Sequence, residues 1–362
     1  MKRHGNLFER IASLDNLRQA HQKARRGKSW HRAVVAFELD VEGNLQRIRE
    51  SLLDKSFSTS PYTVKEIYEP KRRLIYVLPF APDRIVQHAI MNVLEPIWDG
   101  LMLSTSYACR RGLGGHAGSR KVMEHVRRYR YCLQGDVSKF YPSMDHAVLA
   151  DVVRRKIKCR DTLWLLDDII HSMPGGTNVP IGNYTSQWFG NLYLNELDQW
   201  LKHERGVKAY VRYCDDFCLF HDDKAVLRGL AGEIRAFVAE RLKMRLSRLD
   251  LYPVAQGVDF LGYRHFPTYI LLRKRTAKRV KARLRALPGL LASGRISFDR
   301  YRSSIASTMG WIKWANTHNL ALAMDLETLW RSTHDAETFQ RLCSRRGAVG
   351  WRKGEAGFCA ES

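Results

Sequence analysis

A strand, a tight turn and a second strand are predicted by the segment Tyr210-Val211-Arg212-Tyr213-Cys214-Asp215-Asp216-Phe217-Cys218-Leu219-Phe220. Aromatic and β-branched residues favour strands on both sides, and the adjacent carboxylates Asp215 and Asp216 fall at the turn of the hairpin. Asp is also a favoured turn residue in its own right, because its side chain hydrogen-bonds to the nearby backbone. The pair alone therefore does not distinguish a catalytic turn from an ordinary one.

A third carboxylate stands earlier in the chain, in Gly135-Asp136-Val137-Ser138-Lys139-Phe140-Tyr141, after the strand-like run Tyr131-Cys132-Leu133. Each of the three aspartates thus falls at the end of a β element in a strongly basic chain. This combination predicts a two-metal site for phosphoryl transfer, with Asp136, Asp215 and Asp216 as catalytic residues and metal ligands. Mg²⁺ prefers oxygen ligands from one or two carboxylates together with substrate phosphates, so we expect two Mg²⁺ ions as cofactor.

Length and composition restrict the class of protein. A chain of 362 residues with 45% hydrophobic residues can bury a sizeable core, and its length suits two or three subdomains that share one active site. A formal net charge of +23 and a pI near 9.9 predict a polyanionic partner. Nucleic acid is favoured over an acidic membrane surface.

The cysteines and the apolar runs exclude further classes. The seven cysteines form no Cys-x-x-Cys pair, which argues against a zinc knuckle or a disulfide framework and favours a reducing compartment. No apolar run of the sequence approaches the roughly 18 residues of a membrane span. We therefore expect a cytoplasmic protein with no membrane partner.

Local patterns predict further elements on either side of these segments. Residues 1 to about 60 have helical spacing, and a helical stretch is predicted from about Asp145 to Ile170. Between Tyr62 and Phe80 the sequence is strand-like, with clustered cations at a turn that could hold phosphates. A basic amphipathic helix begins at Arg273, and beside a nucleotide site its expected ligand is a duplex backbone.

Several of these segments resemble those of reverse transcriptases. Tyr213-Cys214-Asp215-Asp216 matches the Tyr-x-Asp-Asp box of that family, and the run from Asp136 to Tyr141 matches its first catalytic box. Phe260-Leu261-Gly262-Tyr263 is similar to the primer grip, and Lys71-Arg72-Arg73 to the basic fingers strand near the incoming triphosphate. The resemblance covers roughly residues 55 to 330. It implies an RNA-directed DNA polymerase whose partners are a template RNA, a primer or cDNA duplex, and dNTPs.

The resemblance also implies roles for individual residues. Tyr141 matches the aromatic gate that is set against a ribose 2′-hydroxyl, which favours deoxynucleotides on steric grounds. Tyr213 joins the implied nucleotide pocket, together with the basic residues Lys71, Arg72 and Arg73. Primer and template contacts are implied for the primer grip residues and for four cations of the basic helix: Lys274, Lys278, Lys281 and Arg285.

The box Ile181-Gly182-Asn183-Tyr184-Thr185-Ser186-Gln187 indicates a subtype. In many reverse transcriptases this box begins with Gln and ends in Ser-Pro, whereas here an aliphatic residue opens it and Gln187 closes it. The pattern is similar to that of diversity-generating retroelement enzymes, which copy a template RNA with frequent errors at adenines for mutagenic retrohoming. Ile181 cannot offer the amide hydrogen bonds of Gln to the incoming nucleotide, and their loss weakens discrimination against misaligned base pairs. Ile181, Gly182 and Gln187 therefore join the predicted nucleotide-binding residues.

The implied architecture is a right-hand polymerase of the α/β class, with fingers, an antiparallel-sheet palm and a helical thumb. The expected domains are a helical N-terminal extension, fingers and palm, a basic helical thumb, and a basic tail that is disordered or ordered by a partner, at residues 1–54, 55–265, 266–335 and 336–362. The subtype further implies a bacterial or phage-encoded enzyme that works with a small basic accessory protein.

One departure from the family pattern is Arg248. The family commonly has Lys-Thr before its Tyr-Pro-Val run, whereas this chain has Arg248-Leu249-Asp250. A guanidinium can neutralise pyrophosphate, but its pKa makes it a poor proton donor, so general-acid help from this position is not expected.

Four alternatives remain open at this stage. An RNA-copying polymerase is disfavoured by Tyr213 and Tyr141. A stand-alone reverse transcriptase of retron or antiphage-defence type would share every catalytic residue, and Ile181 and Gln187 count against it. A group II intron enzyme is disfavoured because no endonuclease-like Cys/His cluster follows the thumb sequence. A catalytically silent RNA-binding scaffold is disfavoured because three carboxylates kept close without metals would repel one another.

Overall fold

The computed structural model describes residues 3–68 and 72–345, and the chain divides into two compact units. Unit 1 comprises residues 1–121 and 129–252, and unit 2 comprises residues 122–128 and 253–362. Each unit has a hydrophobic core of its own.

The N-terminal region is helical, as predicted. Between residues 3 and 60, all of which are described, the helices are α1 (Phe8–Ala12), α2 (Leu14–Ala24), α3 (Arg32–Glu38) and α4 (Val41–Leu53). Their apolar faces, with Ile11, Leu17 and Leu45 fully buried, contribute to the unit 1 core. Residues 1–54 are therefore part of the same compact unit as the strands that carry the aspartates.

Six further α-helices follow between residues 85 and 240, all of which are described. They are α5 (Ile85–Asp99), α6 (Gly115–Arg128), α7 (His146–Arg154), α8 (Arg160–Ile170), α9 (Tyr184–Gln199) and α10 (Lys224–Glu240). None of the helices in the described ranges combines the length and the apolar character that a membrane crossing requires.

The helical stretch predicted from about Asp145 to Ile170 consists of two helices, α7 and α8. His4 forms a parallel bridge with Ile157 between the two helices. The backbone N–H of His4 donates to the carbonyl of Lys156, and its carbonyl accepts from the N–H of Lys158, each at 2.8 Å. The carbonyl of Lys156 and the N–H of Lys158 are bonded to His4, so they are not available for the hydrogen bonds of one continuous helix.

An antiparallel hairpin makes up the predicted strand-like region. It consists of β1 (Thr63–Ile67) and β2 (Arg73–Val77), and Thr63 pairs with Val77. Residues 69–71, and with them the predicted phosphate ligand Lys71, lie outside the described residues.

A second sheet in the described part of unit 1 carries the aspartates. Its four strands are β3 (Tyr131–Val137), β4 (Tyr210–Tyr213), β5 (Asp216–His221) and β6 (Leu246–Pro253), in the order β4-β5-β3-β6. Strand β5 pairs antiparallel with both β4 and β3. Gly135 on β3 is required by this packing, since a Cβ at that position would overlap the ring of Phe217 on β5.

Unit 2 contains a three-stranded antiparallel sheet and helices within its described residues. The strands are β7 (Val258–Phe260), β8 (Tyr263–His265) and β9 (Ile270–Leu272). The helices are α11 (Lys274–Ala292), α12 (Phe298–Ile312), α13 (His318–Ala323), α14 (Leu326–Arg331) and α15 (Ala336–Arg345). The basic helix predicted from Arg273 is α11. Of the predicted tail, residues 336–345 form α15, and residues 346–362 lie outside the described residues.

Candidate active site

The β4–β5 hairpin places two carboxylates next to each other. Tyr213 pairs with Asp216, so the loop between the strands consists of Cys214 and Asp215. Asp216 is therefore the first residue of β5, whereas the sequence pattern placed both aspartates in the turn. Cys214 has a left-handed φ of 53°, which is uncommon for a residue with a side chain and marks a tight turn.

Asp136 lies opposite this hairpin on the neighbouring strand. It is paired with Asp216 in the β3–β5 register, and directly opposed residues on antiparallel strands have Cβ atoms about 5 Å apart on the same face. Burial, followed by the negative charges of Asp136 and Asp215, raises the pKa of Asp216 to about 6. The structure thus brings the three predicted aspartates into one cluster, in which the carboxylates repel one another.

Two side chains of β6 contact this cluster. Arg248 donates to Oδ1 of Asp216 at 3.0 Å, and the hydroxyl of Ser247 donates to the carboxylate of Asp136. Arg248 was singled out from the sequence as a departure from the family pattern, but its partner was not predicted, and Ser247 was missed. Both contacts lower the electrostatic cost of holding the carboxylates together.

The aspartate cluster has the donors that a divalent cation requires. Among the described residues, no three His, Cys, Asp or Glu side chains are already gathered around one metal position. A preformed cage is not needed, because Mg²⁺ takes one or two carboxylates and completes its shell with water and substrate phosphates. A cation here would also relieve the repulsion that raises the pKa of Asp216.

A buried ion pair supports the hairpin, and the sequence pattern did not predict it. The side chains of Arg212 on β4 and Asp198 on α9 are both 0% exposed, and the guanidinium meets the carboxylate at 2.6 to 3.0 Å. Arg212 also donates to the carbonyl of Cys214 at 3.2 Å and to Oδ1 of Asn191 at 3.3 Å. The hydroxyl of Tyr210 donates to Asp198 at 2.7 Å. The guanidinium thus connects the loop before Asp215 to the core helix α9.

A turn before α9 contacts the β1–β2 hairpin. The carbonyl of Ile181 accepts a hydrogen bond from the backbone N–H of Tyr76 at 2.8 Å. Gly182 has a φ of 121°, and a Cβ at this position would come within 2.7 Å of the carbonyl oxygen of Tyr76. Conformation and space both require glycine here. Ile181 is half-buried, and Gln187 is exposed on the first turns of α9.

We expect Gly182→Ala to displace this turn from β2. The change should lower the free energy of unfolding by about 1–3 kcal/mol, because it combines a strained φ with a backbone collision. It should also raise the KM for dNTPs, since the turn belongs to the predicted nucleotide pocket. Denaturant unfolding and steady-state kinetics measure both effects.

Gly229→Ala provides the matched control for this substitution. A Cβ at Gly229, on α10, meets no atom within 4 Å, so alanine should be neutral or stabilise the helix by up to about 1 kcal/mol. If the two variants had the same free energy of unfolding and the same KM for dNTPs, the structural role of Gly182 would be contradicted.

Two predicted tyrosines lie near the catalytic loop. Burial first, and then the nearby Cys214, Cys109 and Asp215, raise the pKa of Tyr141 well above its ordinary value, so its hydroxyl stays protonated. The pKa of Tyr213 is also raised, chiefly by burial. Tyr141 thus lies close enough to the Cys214–Asp215 loop for the charge of Asp215 to act on it, and Tyr213 directly precedes that loop. Their roles in the nucleotide pocket stay predictions.

Arg72 and Arg73, which are predicted to bind the triphosphate, form no ion pair with the three aspartates in the described structure. Arg72 is exposed and pairs with Glu66 on β1, and Arg73 is exposed at the start of β2.

The predicted primer grip lies in unit 2, and its side chains differ in exposure. Phe260 and Tyr263 are each 1% exposed, and the hydroxyl of Tyr263 donates to the carbonyl of Trp311 at 3.1 Å. Leu261 and Gly262 form the turn between β7 and β8 and are half-exposed. Only the turn residues Leu261 and Gly262 of this segment are therefore accessible to a ligand. On α11, Lys274, Lys278 and Arg285 are exposed, and Lys281 is half-buried.

Comparison with known proteins identifies the family. A family model described as reverse transcriptase (RNA-dependent DNA polymerase) matches residues 65–265, which include all three aspartates. The chain belongs to the reverse transcriptase family. It is an RNA-directed DNA polymerase of the predicted α/β, right-hand class, and its substrates are a nucleic acid template and dNTPs. Reverse transcriptases generally use divalent metal ions, in agreement with the donors found here.

Individual relatives are similar over parts of this reverse transcriptase. Protein YkfC of Escherichia coli strain K12 is 29% identical, over 68% of this chain and 75% of its own length. Group II intron-encoded protein LtrA of Lactococcus lactis is 24% identical, over 59% of this chain and 38% of its own length. A structure of apo telomerase from Candida tropicalis, truncated from the C-terminal domain, has a TM-score of 0.46 at 12% identity, covering 63% of this chain and 59% of that chain. The relatives thus include a group II intron-encoded protein, a class that the sequence patterns disfavoured.

Proposed function

We propose that this reverse transcriptase makes error-prone cDNA from a template RNA for mutagenic retrohoming, as diversity-generating retroelement enzymes do. The observation that supports this proposal is the aliphatic side chain of Ile181. The carbonyl of Ile181 accepts a hydrogen bond from the N–H of Tyr76 on β2, and the side chain is aliphatic where many reverse transcriptases have Gln. An isoleucine cannot hydrogen-bond to an incoming nucleotide.

In this proposal, Asp136, Asp215 and Asp216 hold two Mg²⁺ ions. When bound, such ions lower the pKa of the attacking hydroxyl and stabilise the leaving pyrophosphate. Arg248 keeps its charge and offsets the negative charge beside Asp216, 3.0 Å away, without donating a proton. The protonated Tyr141 serves as a steric gate against a ribose 2′-hydroxyl.

The remaining assignments belong to the same proposal. The Leu261–Gly262 turn and the four cations of α11 contact the primer–template duplex, and Arg72 and Arg73 contact the triphosphate. A small basic accessory protein is the expected protein partner.

Sequencing of cDNA made by the wild-type enzyme on a defined RNA tests the subtype. We expect misincorporation concentrated opposite template adenines. A low error rate spread evenly over the four template bases would refute the diversity-generating assignment. It would support an enzyme of the group II intron type, which the similarity to LtrA favours.

Ile181→Gln is expected to lower misincorporation opposite adenine by about fivefold. One net hydrogen bond contributes about 1 kcal/mol, and an amide that aligns the correct base pair adds to discrimination by that amount. Ile181→Leu is the matched control, because it changes the shape of the side chain and adds no hydrogen-bonding group. An unchanged error spectrum for Ile181→Gln, measured by cDNA sequencing, would show that Ile181 does not set fidelity.

A further inference from the structure

A second cluster of titratable groups lies on one face of α5, apart from the aspartates. Arg84 directly precedes α5, and His88 and Asn92 follow at intervals of four residues, so the three side chains share a helix face. The end of α2 lies along this face, because Nζ of Lys23 donates to Oδ1 of Asn92 at 2.5 Å. The side-chain amide of Asn16 on α2 donates to the carbonyl of Ala89 at 3.0 Å.

The cations of this face have no acidic partner among the described residues. Lys28, beyond the end of α2, has its pKa lowered by burial and then by the positive charge of Arg84. Burial lowers the pKa of Arg84 as well. Two carboxylates occur near these positions in the chain. Oδ1 of Asp83 accepts from the N–H of Ser60, whereas its Oδ2 is buried without a hydrogen-bond partner, and Glu38 pairs with Arg25. Half-buried like charges without a counter-charge repel one another.

His88 completes this cluster. Its Nδ1 is buried and has no hydrogen-bond partner in the described structure. Burial, and then the charges of Lys23, Lys28 and Arg84, lower the pKa of His88 to about 4. Buried polar atoms are normally satisfied, so an unpaired nitrogen among three cations fits a ligand with oxygen acceptors and negative charge.

The cluster adjoins the predicted nucleotide box. The ring of His88 lies 4.7 Å from that of Tyr184, the first residue of α9, which belongs to the box from Ile181 to Gln187. Beyond Lys28, Trp30 is 75% exposed, and its ring stacks on His31 at 4.1 Å. Trp30 is two residues from Lys28 in the chain, and cations combined with exposed aromatic rings are typical of surfaces that bind the backbone and stack the bases of a single strand.

We infer that Lys23, Lys28, Arg84 and His88 form a phosphate-binding site for the backbone of the template RNA strand. The inference rests on the template RNA of the proposed function. A phosphate diester carries the negative charge that would neutralise the three cations. Its oxygens would accept hydrogen bonds from their N–H groups. Trp30 favours a strand over a free phosphate, because it can stack a base next to the bound phosphate.

RNA binding by the full chain tests this site. Fluorescence anisotropy with a labelled single-stranded RNA, without dNTPs, is measured over a series of salt concentrations for wild type, Arg84→Gln and Lys28→Gln. Each variant should raise the Kd for RNA roughly three- to tenfold. It should also reduce the slope of log K against log salt by the amount expected for about one phosphate contact. The loss should be the same for RNAs of different sequence.

Arg18→Gln is the matched control on α2, since Arg18 already pairs with Asp15 and Glu42. It should bind RNA like wild type. Thermal melts identify a variant that fails to fold, in which case the more exposed Lys28→Gln decides. RNA affinity and salt slope equal to wild type for both variants would overturn the site.

A titration with inorganic triphosphate tests whether the site binds the phosphates of an RNA strand or those of a free triphosphate. If the variants bind RNA normally but lose triphosphate binding, the strand assignment is wrong. The proposed function fails in a different way: a wild-type enzyme that binds RNA yet makes error-free cDNA, or none, refutes that function and leaves the comparison of RNA affinities intact.

Discussion

Asp215→Asn is expected to abolish primer extension, with a kcat at least about 10³-fold below that of wild type. Metal ions contribute several kcal/mol of charge stabilisation to a phosphoryl transfer, and each loss of about 1.4 kcal/mol costs a factor of ten in rate. The same change removes one of the charges that raise the pKa of Asp216. The pKa of Asp216 should therefore be lower in the variant than in the wild type in the absence of divalent ions.

Metal-dependent melting distinguishes this result from a loss of structure. Mg²⁺ should raise the Tm of the wild-type protein, because a ligand that binds the folded state stabilises it, and it should raise the Tm of Asp215→Asn less. Asp151→Asn, which changes an exposed carboxylate of α7, controls for the loss of one negative charge and should extend primers normally. Equal primer extension by Asp215→Asn and wild type would refute the assigned catalytic site.

The three aspartates could be predicted from the sequence because local signals place them. Each follows a run with strand character, and side chains of a strand alternate with a period of two, so strand ends and a turn suffice to bring carboxylates to one edge. The pairing of Asp136 with Asp216 agrees with this reasoning. Arg248 and Ser247 were not predicted as partners, because they come from β6, and no local signal specifies which strand lies beside β3.

Long-range contacts account for the other differences. At the break between α7 and α8, the backbone bonds to His4, which is more than 150 positions away in the chain. The family motif treats the four residues from Phe260 to Tyr263 as one primer grip. In the structure, the rings of Phe260 and Tyr263 are buried, whereas the turn formed by Leu261 and Gly262 is half-exposed. A signal for Arg212 was present, because it is a charged residue inside an otherwise apolar and aromatic run, where a charge requires a partner. Asp198 stands beside the polar residues Glu196 and Gln199, so the sequence offered no such signal for it.

Arg212→Met is expected to have the second largest effect, because it acts on both stability and catalysis. Removing the guanidinium leaves Asp198 buried and unpaired, which should lower the free energy of unfolding by about 3–5 kcal/mol. The carbonyl of Cys214 also loses its donor, so the loop that carries Asp215 is no longer fixed to α9. A misplacement of catalytic groups by about 1 Å can cost roughly 10² in rate.

The double variant Arg212→Met/Asp198→Asn separates the two effects. Asparagine removes the uncompensated charge and still accepts from the hydroxyl of Tyr210, so the free energy of unfolding should return most of the way to wild type. The kcat should stay about 10²-fold low with little change in RNA affinity, because neither substitution restores the donor to Cys214. Denaturant unfolding, RNA binding and single-turnover kinetics on the same preparation measure the three quantities. If kcat recovers together with stability, Arg212 only stabilises the core; if it does not, the buried guanidinium positions the catalytic loop.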